Sequence, residues 1–438
     1  MNNINHPIYI IGAGVAGLSC AQHLKSARFN VVVLEARDRI GGRIHTQNID
    51  GHCFDLGASW IHGIDNNPIW KIAESNRIST QVFNYDQVDY FHANGQPFTE
   101  QESLEFEKCL RDVQKVFQNT SIEQDISAFE QLENVLGTIR FQLHYFDRDV
   151  ITQKIKQYYS RLAHDPFATD LEQLAHNFMD FEGYFSGDEV IFPKGYEQIV
   201  KVLAADLEIH TNADIVEIVH DSHQVQIKTA CGQLYIGSQV VVTVPLGILK
   251  QDKIKFEPPL PSGLVQSIQK LGFGSFNKIF IQFSKALEFN GNALKHNTAF
   301  FWDERELYSI LDFSHLYNKP TYLLLVGGTK SEWVDQATDQ QVHEYIKKIL
   351  KICMHSNEIQ NIIITRWGSD PFSLGSFSFP KVEHTKDDVE IFKKEHPAQV
   401  YFAGEHCHTD YAGTVHGAYL SGRDTANLII RNGSNIKL

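Results

Sequence analysis

An α/β fold of two interleaved domains is predicted from three observations. A short apolar strand, Ile8-Tyr9-Ile10-Ile11, leads into the turn Gly12-x-Gly14-x-x-Gly17 and then into a helical pattern from Val15 to Ala27. Similar strand-and-helix material returns in two later stretches, one from near Pro193 and one from Tyr401 to Arg431. Between these stretches lie a helical segment and an aromatic, strand-rich segment. The expected layout is a Rossmann-type dinucleotide-binding domain from residues 1–80, 190–277 and 365–438, and an α+β substrate domain with a helical insertion from 81–189 and 278–364. At roughly 150 residues per domain, a 438-residue chain has room for two or three such units.

Each element has a local reason. Val31-Val32-Val33-Leu34 is a second buried strand by its unbroken apolar run. Phe106, Cys109, Leu110, Val113, Val116 and Phe117 recur at helical spacing, and helical patterns continue through Leu174. Ile199 to Leu207 reads as a helix. Val225 to Ile227 and Tyr235 to Val244 read as strands around a Cys231-Gly232 turn, the second leading into Pro245. From Lys278 to about Ile364 strands and helices alternate, rich in aromatics such as Phe280, Phe283, Phe300, Phe301 and Trp302.

The formal net charge of −14 argues against non-specific nucleic-acid binding, which needs a basic footprint. It suits a cationic substrate, and it equally suits an ordinary acidic soluble protein. Cys20, Cys53, Cys109, Cys231, Cys353 and Cys407 form no C-x-x-C pair and no disulfide framework, so a reducing compartment is expected. Met1 to Pro7 has no basic n-region or cleavable apolar run, and no stretch reaches the ~18 apolar residues that span a bilayer. A cytoplasmic protein without membrane attachment is the expectation.

The glycine turn has a chemical purpose at this spacing. The first glycine permits the tight turn, the second lets a pyrophosphate approach the backbone, and the third lets helix and strand pack closely. Glu35, at the end of the second strand, stands near the spacing expected of a ribose partner. Ala36-Arg37-Asp38-Arg39-Ile40-Gly41-Gly42-Arg43 is a second glycine turn carrying arginines; a pyrophosphate site and a solvated surface turn both account for it. Lys278, ahead of Ile279-Phe280-Ile281, reads either as a lysine in an apolar site, where burial favours its neutral form, or as a snorkelling surface lysine. His406-Cys407-His408 matches no standard zinc spacing, and no metal is expected.

The sequence resembles the flavin-containing amine oxidase family. The words that carry the resemblance are GAGVAGLSCAQHL, LEARDRIGGRIHT, DLGASWIHG, PKGYEQIV, VTVPLGILK, FGSFNKIFIQF, TRWGSDPFSLGSFSF and FAGEHCHTDYAGTVHGAYLSGRDTAN, in family order over nearly the whole chain. It is most similar to polyamine oxidases and to the catalytic part of lysine-specific histone demethylases. The resemblance implies that Gly12, Gly14, Ala16, Gly17, Glu35, Ala36, Arg37, Gly41, Gly42 and Arg43 hold the ADP half of FAD, with the Ile215 backbone at the adenine. It implies that Gly57, Ala58, Ser59, Trp60 and Trp367 line the flavin, that Gly404 and Glu405 meet the ribityl–phosphate region, and that Thr414 and Val415 open a helix aimed at the pyrimidine edge. Lys278 and His62 are the implied catalytic residues; Trp60, His62, Phe377 and Thr414 face the substrate.

Two departures from the family pattern matter. Thr414 stands where some members carry a tyrosine, which removes half of an aromatic sandwich. Ser376 stands where monoamine oxidases carry the cysteine that binds FAD covalently, so non-covalent FAD is expected. The implied activity is oxidation of an amine, with a polyamine favoured, to an imine and then an aldehyde, with oxygen as acceptor and hydrogen peroxide as product. An L-amino-acid oxidase, a monoamine oxidase and a non-catalytic FAD-binding scaffold are the alternatives. The chain has no room for the long coiled insertion of the demethylases, which argues against a histone substrate.

Overall fold

The computed structural model describes residues 6–434, apart from 86, 120–124, 182, 304, 353–357, 395–396 and 398. Cys353 and residues 1–5 lie outside the described residues.

The protein is a mixed α/β structure with both parallel and antiparallel sheets. Five parallel strands form one sheet in the order Val400–Phe402, Gln239–Val242, Ile8–Ile11, Val31–Leu34 and Glu208–His210. Counted along the chain, that order is 5-4-1-2-3. The winding therefore reverses at the N-terminal strand, which opens a crevice at the carboxyl ends of the first and fourth strands. The β-branched runs suit this place because a parallel sheet is covered on both faces, and every residue of Ile8–Ile11 and Val31–Leu34 is buried.

On one face pack the helix Val15–Ser26 and the last helix, Val415–Ser434. They touch closely at Gly422, where an added Cβ would lie 2.1 Å from the Ala16 carbonyl oxygen. On the other face lies a four-stranded sheet of Leu234–Gly237, Val225–Thr229, Ile215–His220 and Lys255–Glu257. The run Tyr235 to Val244, expected as one strand, is two. Leu234–Gly237 belongs to the four-stranded sheet and Gln239–Val242 to the parallel one. At the junction Ser238 donates its N–H to the Pro7 carbonyl at 3.0 Å, and Gly237 passes under Tyr9, whose ring lies 2.6 Å from where a Cβ would sit.

The helical segment consists of Glu100–Asn119, Ala128–Thr138 and Arg148–Phe167, whose buried faces share one core. Six strands form the largest sheet, in the order Ile359–Ile364, Phe276–Phe283, Thr321–Gly327, Leu307–Asp312, Thr298–Trp302 and Val88–Phe91. The strand Phe276–Phe283 lies inside this sheet, paired on both sides, and carries Lys278 as its third residue. Cys20, Cys53, Cys109, Cys231 and Cys407 are free thiols. Among the described residues, no helix is long and apolar enough to cross a membrane.

Candidate active site

At the carboxyl end of the N-terminal strand the three glycines behave differently. Gly12 has φ +105°, which favours glycine, and a Cβ there would meet the Thr243 hydroxyl at 2.7 Å. A Cβ on Gly17 would lie 2.0 Å from the Gly12 carbonyl oxygen, so helix and strand are in backbone contact. A Cβ on Gly14 would meet nothing within 4 Å. Gly14 caps the helix Val15–Ser26 without a side-chain hydrogen bond, and no acidic residue occupies the first turn. The helix thus presents its N-terminal N–H groups and positive pole to open space, a ready anion site.

The second glycine turn lies directly against the first. Gly41 N–H donates to the Ala13 carbonyl at 2.8 Å, and a Cβ on Gly42 would come within 3.3 Å of Gly14 Cα. The Arg39 guanidinium is folded onto the Ile40, Gly42 and Ile44 carbonyls and holds this turn closed. The Glu35 carboxylate, 5% exposed, accepts the N–H groups of Ala13 at 2.7 Å and Arg37 at 2.9 Å. Ala16 is buried in the helix, Ala36 is half-buried after Glu35, and Ile215 is buried at the start of its strand.

The two flanking arginines are paired over long sequence distance. Arg37 makes a bidentate pair with Asp370 at 3.0 and 2.6 Å. Arg43 donates to Glu405 at 2.8 Å and to the Ser376 carbonyl at 2.7 Å. Glu405 is buried at the head of a short 3-10 turn that follows the strand Val400–Phe402 and Gly404, and it also accepts from the Ser378 hydroxyl and from Gly413 N–H at 2.8 Å. Burial works to raise this carboxyl, but the Arg43 guanidinium and the hydrogen bonds outweigh it and hold the group below its ordinary value. Thr414 caps the last helix by accepting Gly417 N–H at 2.9 Å, and Val415 is its first residue.

Lys278 is 5% exposed, so the snorkelling reading does not hold. Its ammonium donates to the Asp55 carbonyl at 3.0 Å, the Gly57 carbonyl at 2.5 Å and the Ser59 hydroxyl, and it lies 5.2 Å from the centre of the Trp60 ring. These acceptors favour the charged form. Burial opposes them more strongly and moves the lysine well below its ordinary pKa, against the attraction of Asp55. Burial likewise raises the Asp55 carboxyl, although Thr46 and the Tyr196 N–H hydrogen-bond to it. Gly57 has no room for a side chain: a Cβ would lie 1.8 Å from the Arg43 carbonyl oxygen. The Trp367 indole donates to the Leu56 carbonyl at 2.9 Å, across the same turn. Ala58 is half-buried in that turn.

His62 stands apart from this cluster, 54% exposed, with Nδ1 2.7 Å from Glu189 and 3.3 Å from the Tyr85 hydroxyl. Pairing of Trp60–Ile61 with Val190–Ile191 sets this contact. Phe377 packs against Phe276 at 5.7 Å between ring centres and lies beneath Gly413. Sequence reasoning passed over Asp55, Glu189, Asn277 and Asp370. Asp55 sits inside one of the quoted words, and Glu189 belongs to an acidic pair, Asp188-Glu189, just ahead of a short strand. Among the described residues no group of three or more His, Cys, Asp or Glu is arranged to hold a metal ion.

A reversed parallel sheet, an uncapped helix N-terminus behind an open glycine and a buried carboxylate one strand away fit the phosphates and ribose of a dinucleotide cofactor. The protein is of the nucleotide-cofactor enzyme class. The chain belongs to the flavin containing amine oxidoreductase family, whose model matches residues 15–430. It is therefore a flavin-dependent amine oxidase. Its relatives include polyamine oxidase 3 of Oryza sativa subsp. japonica, 30% identical over 94% of this chain and 87% of that one. Polyamine oxidase 2 of Arabidopsis thaliana is 28% identical over 95% of this chain and 86% of its own. Lysine-specific histone demethylase 1 homolog 3 of Oryza sativa subsp. japonica is 28% identical over 97% of this chain but only 54% of its own.

Proposed function

We propose that the chain oxidises a polyamine at a C–N bond, with FAD held non-covalently in a discontinuous Rossmann-type domain (residues 1–80, 190–277 and 365–438) and substrate bound by residues 81–189 and 278–364. The observation that carries the reading is Lys278, buried beside Trp60 and Gly57 with its pKa depressed. The polyamine oxidases among the relatives support the substrate class.

When bound, FAD would supply a two-electron acceptor for the substrate carbon, with oxygen as final acceptor and hydrogen peroxide as product. The chain supplies position, dryness and proton handling. The Gly14 backbone and the helix behind it would hold the phosphates, and Glu35 the ribose. Trp60, Trp367 and Phe377 wall the site against water and offer π-faces to an amine. Neutral Lys278 accepts a proton, directly or through a water, as the amine is made reactive. The N-terminus of the last helix, at Thr414 and Val415, favours negative charge on the flavin side. His62 and Glu189, at the open rim, meet a second cationic nitrogen of a long substrate. The imine released hydrolyses in water to an aldehyde.

The amino-acid oxidase reading needs a free arginine for the substrate carboxylate. Arg37, Arg39 and Arg43 are each committed, to Asp370, to turn carbonyls and to Glu405. Anaerobic stopped-flow absorbance with polyamines, monoamines and L-amino acids tests the proposal. Rapid bleaching of the flavin band by a polyamine supports it; bleaching by the other classes alone replaces the substrate, and no bleaching by any favours a non-catalytic scaffold.

Glu189→Gln is expected to raise KM for a polyamine about fivefold, the scale of one partly exposed ion pair, and to leave kcat and monoamine oxidation unchanged. Steady-state kinetics on both substrates check it. Because Ser376 carries no thiol, acid precipitation is expected to release all flavin into the supernatant, measured by its absorbance; flavin retained in the pellet would mean a covalent bond.

A further inference from the structure

Asn277, the residue before Lys278, is wholly buried, and its side-chain amide is fully engaged. Its Oδ1 accepts from the Trp367 N–H at 2.9 Å and from the Thr365 hydroxyl at 3.0 Å. Its Nδ2 donates to Asp335 Oδ1 and to the Ser331 hydroxyl, both at 2.9 Å. Donors stand on one side and acceptors on the other, so only an amide in this orientation satisfies the place. Asp335, on the helix Gly328–Gln336, also accepts from Gly368 N–H at 3.1 Å and from the Ser275 hydroxyl at 2.7 Å. One carboxylate thus grips residues on both the lysine strand and the segment that carries Trp367.

These bonds close a ring. From Asn277 the path runs to the Trp367 backbone, then through its indole to the Leu56 carbonyl, then to the next carbonyl, Gly57, which accepts from Lys278. A shorter branch passes through Thr365, whose hydroxyl accepts the Lys278 N–H at 2.7 Å and whose own N–H donates to the Lys278 carbonyl at 3.0 Å. A side chain serving only to fill the core would not link the lysine, the tryptophan and the Gly57 turn in one circuit.

We propose that Asn277 and Asp335 form a positioning pair that sets Lys278 against Trp367 across the Gly57 turn. The inference rests on the assignment of Lys278 to the reaction centre. Neither residue touches the reacting atoms; they act on where Lys278 and Trp367 stand.

The test uses the full-length holoprotein. Asn277→Asp is nearly isosteric but turns an acceptor toward Asp335. Its kcat is expected to fall about 10- to 100-fold, the scale of a misplacement near 1 Å, with KM and flavin content unchanged. The exchange Asn277→Asp/Asp335→Asn restores one donor facing one acceptor but turns the new amide's N–H toward the Gly368 N–H, so it is expected to recover part of the loss and to run several-fold faster than N277D. Thr365→Val removes one link without adding charge and is expected to cost several-fold in kcat alone, which covers the case that N277D does not fold. The pair is structural only if flavin content and melting temperature fall in step with kcat, or if the exchange is no faster than N277D. K278M is measured alongside. Full activity there overturns the reading of the site itself, whereas a slow K278M beside full-speed, well-folded N277D and T365V overturns only the positioning role.

Discussion

Lys278→Met is expected to slow the half-reactions by about 100-fold or more while FAD stays bound. Methionine matches the length of the lysine stem and keeps its apolar contacts, so the change isolates the amine. The loss follows from where the amine is. It is buried, it faces three oxygens of the Asp55–Ser59 turn, and burial holds its pKa well below the ordinary lysine range. The sign of the pH dependence follows. A lysine with a lowered pKa is neutral over a wider range, and the neutral form is the one that accepts a proton. Activity carried by Lys278 should fall as pH drops through that lowered pKa, and this acid limb should be missing from the pH profile of K278M. Rapid-mixing absorbance of reduction and reoxidation, across pH, checks both points; unchanged rates in both half-reactions would remove Lys278 from the chemistry.

The parts of this site that a sequence shows are those with local causes. The strand, turn and helix at Ile8–Ser26 are set by a short apolar run, three glycines and a helical pattern within a few turns of each other, and the structure places them at the expected residues. The first helix of the helical segment is legible too, because apolar residues from Phe106 to Phe117 recur at regular spacing; the two that follow are legible only as further helical patterns, without bounds. The single strand expected over Tyr235 to Val244 is two because its halves pair in different sheets, with Pro7 and Tyr9, more than two hundred residues away in the chain, packed at the junction. The same limit hid the partners of the charged groups. Arg37 and Arg43 sit in an evident glycine turn, but Asp370 and Glu405 reach them only through the closure of the sheet. Burial of Lys278 was one of two open readings, since the strand Phe276–Phe283 gains its cover from neighbours on both sides that no local pattern announces. Glu189 was missed for a similar reason: its place beside His62 depends on the pairing of two-residue strands, too short to read from periodicity.

Gly14→Ala and Gly17→Ala are expected to fail in opposite ways, although each adds one methyl group to the same turn. Gly17 is inside the helix Val15–Ser26, where alanine is intrinsically preferred by about 1 kcal/mol. The new Cβ, however, would stand 2.0 Å from the Gly12 carbonyl oxygen, a backbone atom that no rotamer change can move. Overpacking of this kind costs about 3 kcal/mol and outweighs the propensity, so apo-G17A should melt well below the wild type. Gly14 has extended backbone angles, φ −76° and ψ 177°, that any residue adopts, and open space where a Cβ would go. Apo-G14A should therefore melt like the wild type. Its methyl group occupies the cradle that faces the uncapped helix N-terminus, so it excludes the pyrophosphate, and FAD affinity should fall about 10- to 100-fold. The pair would separate fold from cofactor: a melting defect in G17A marks a glycine that the protein's own backbone requires, and a binding defect in G14A one that the ligand requires. Thermal melts of the apo proteins, repeated with added FAD, check the argument, since only a protein that binds FAD is stabilised by it. An FAD-dependent rise in G14A equal to that of the wild type would move the phosphate site away from this turn.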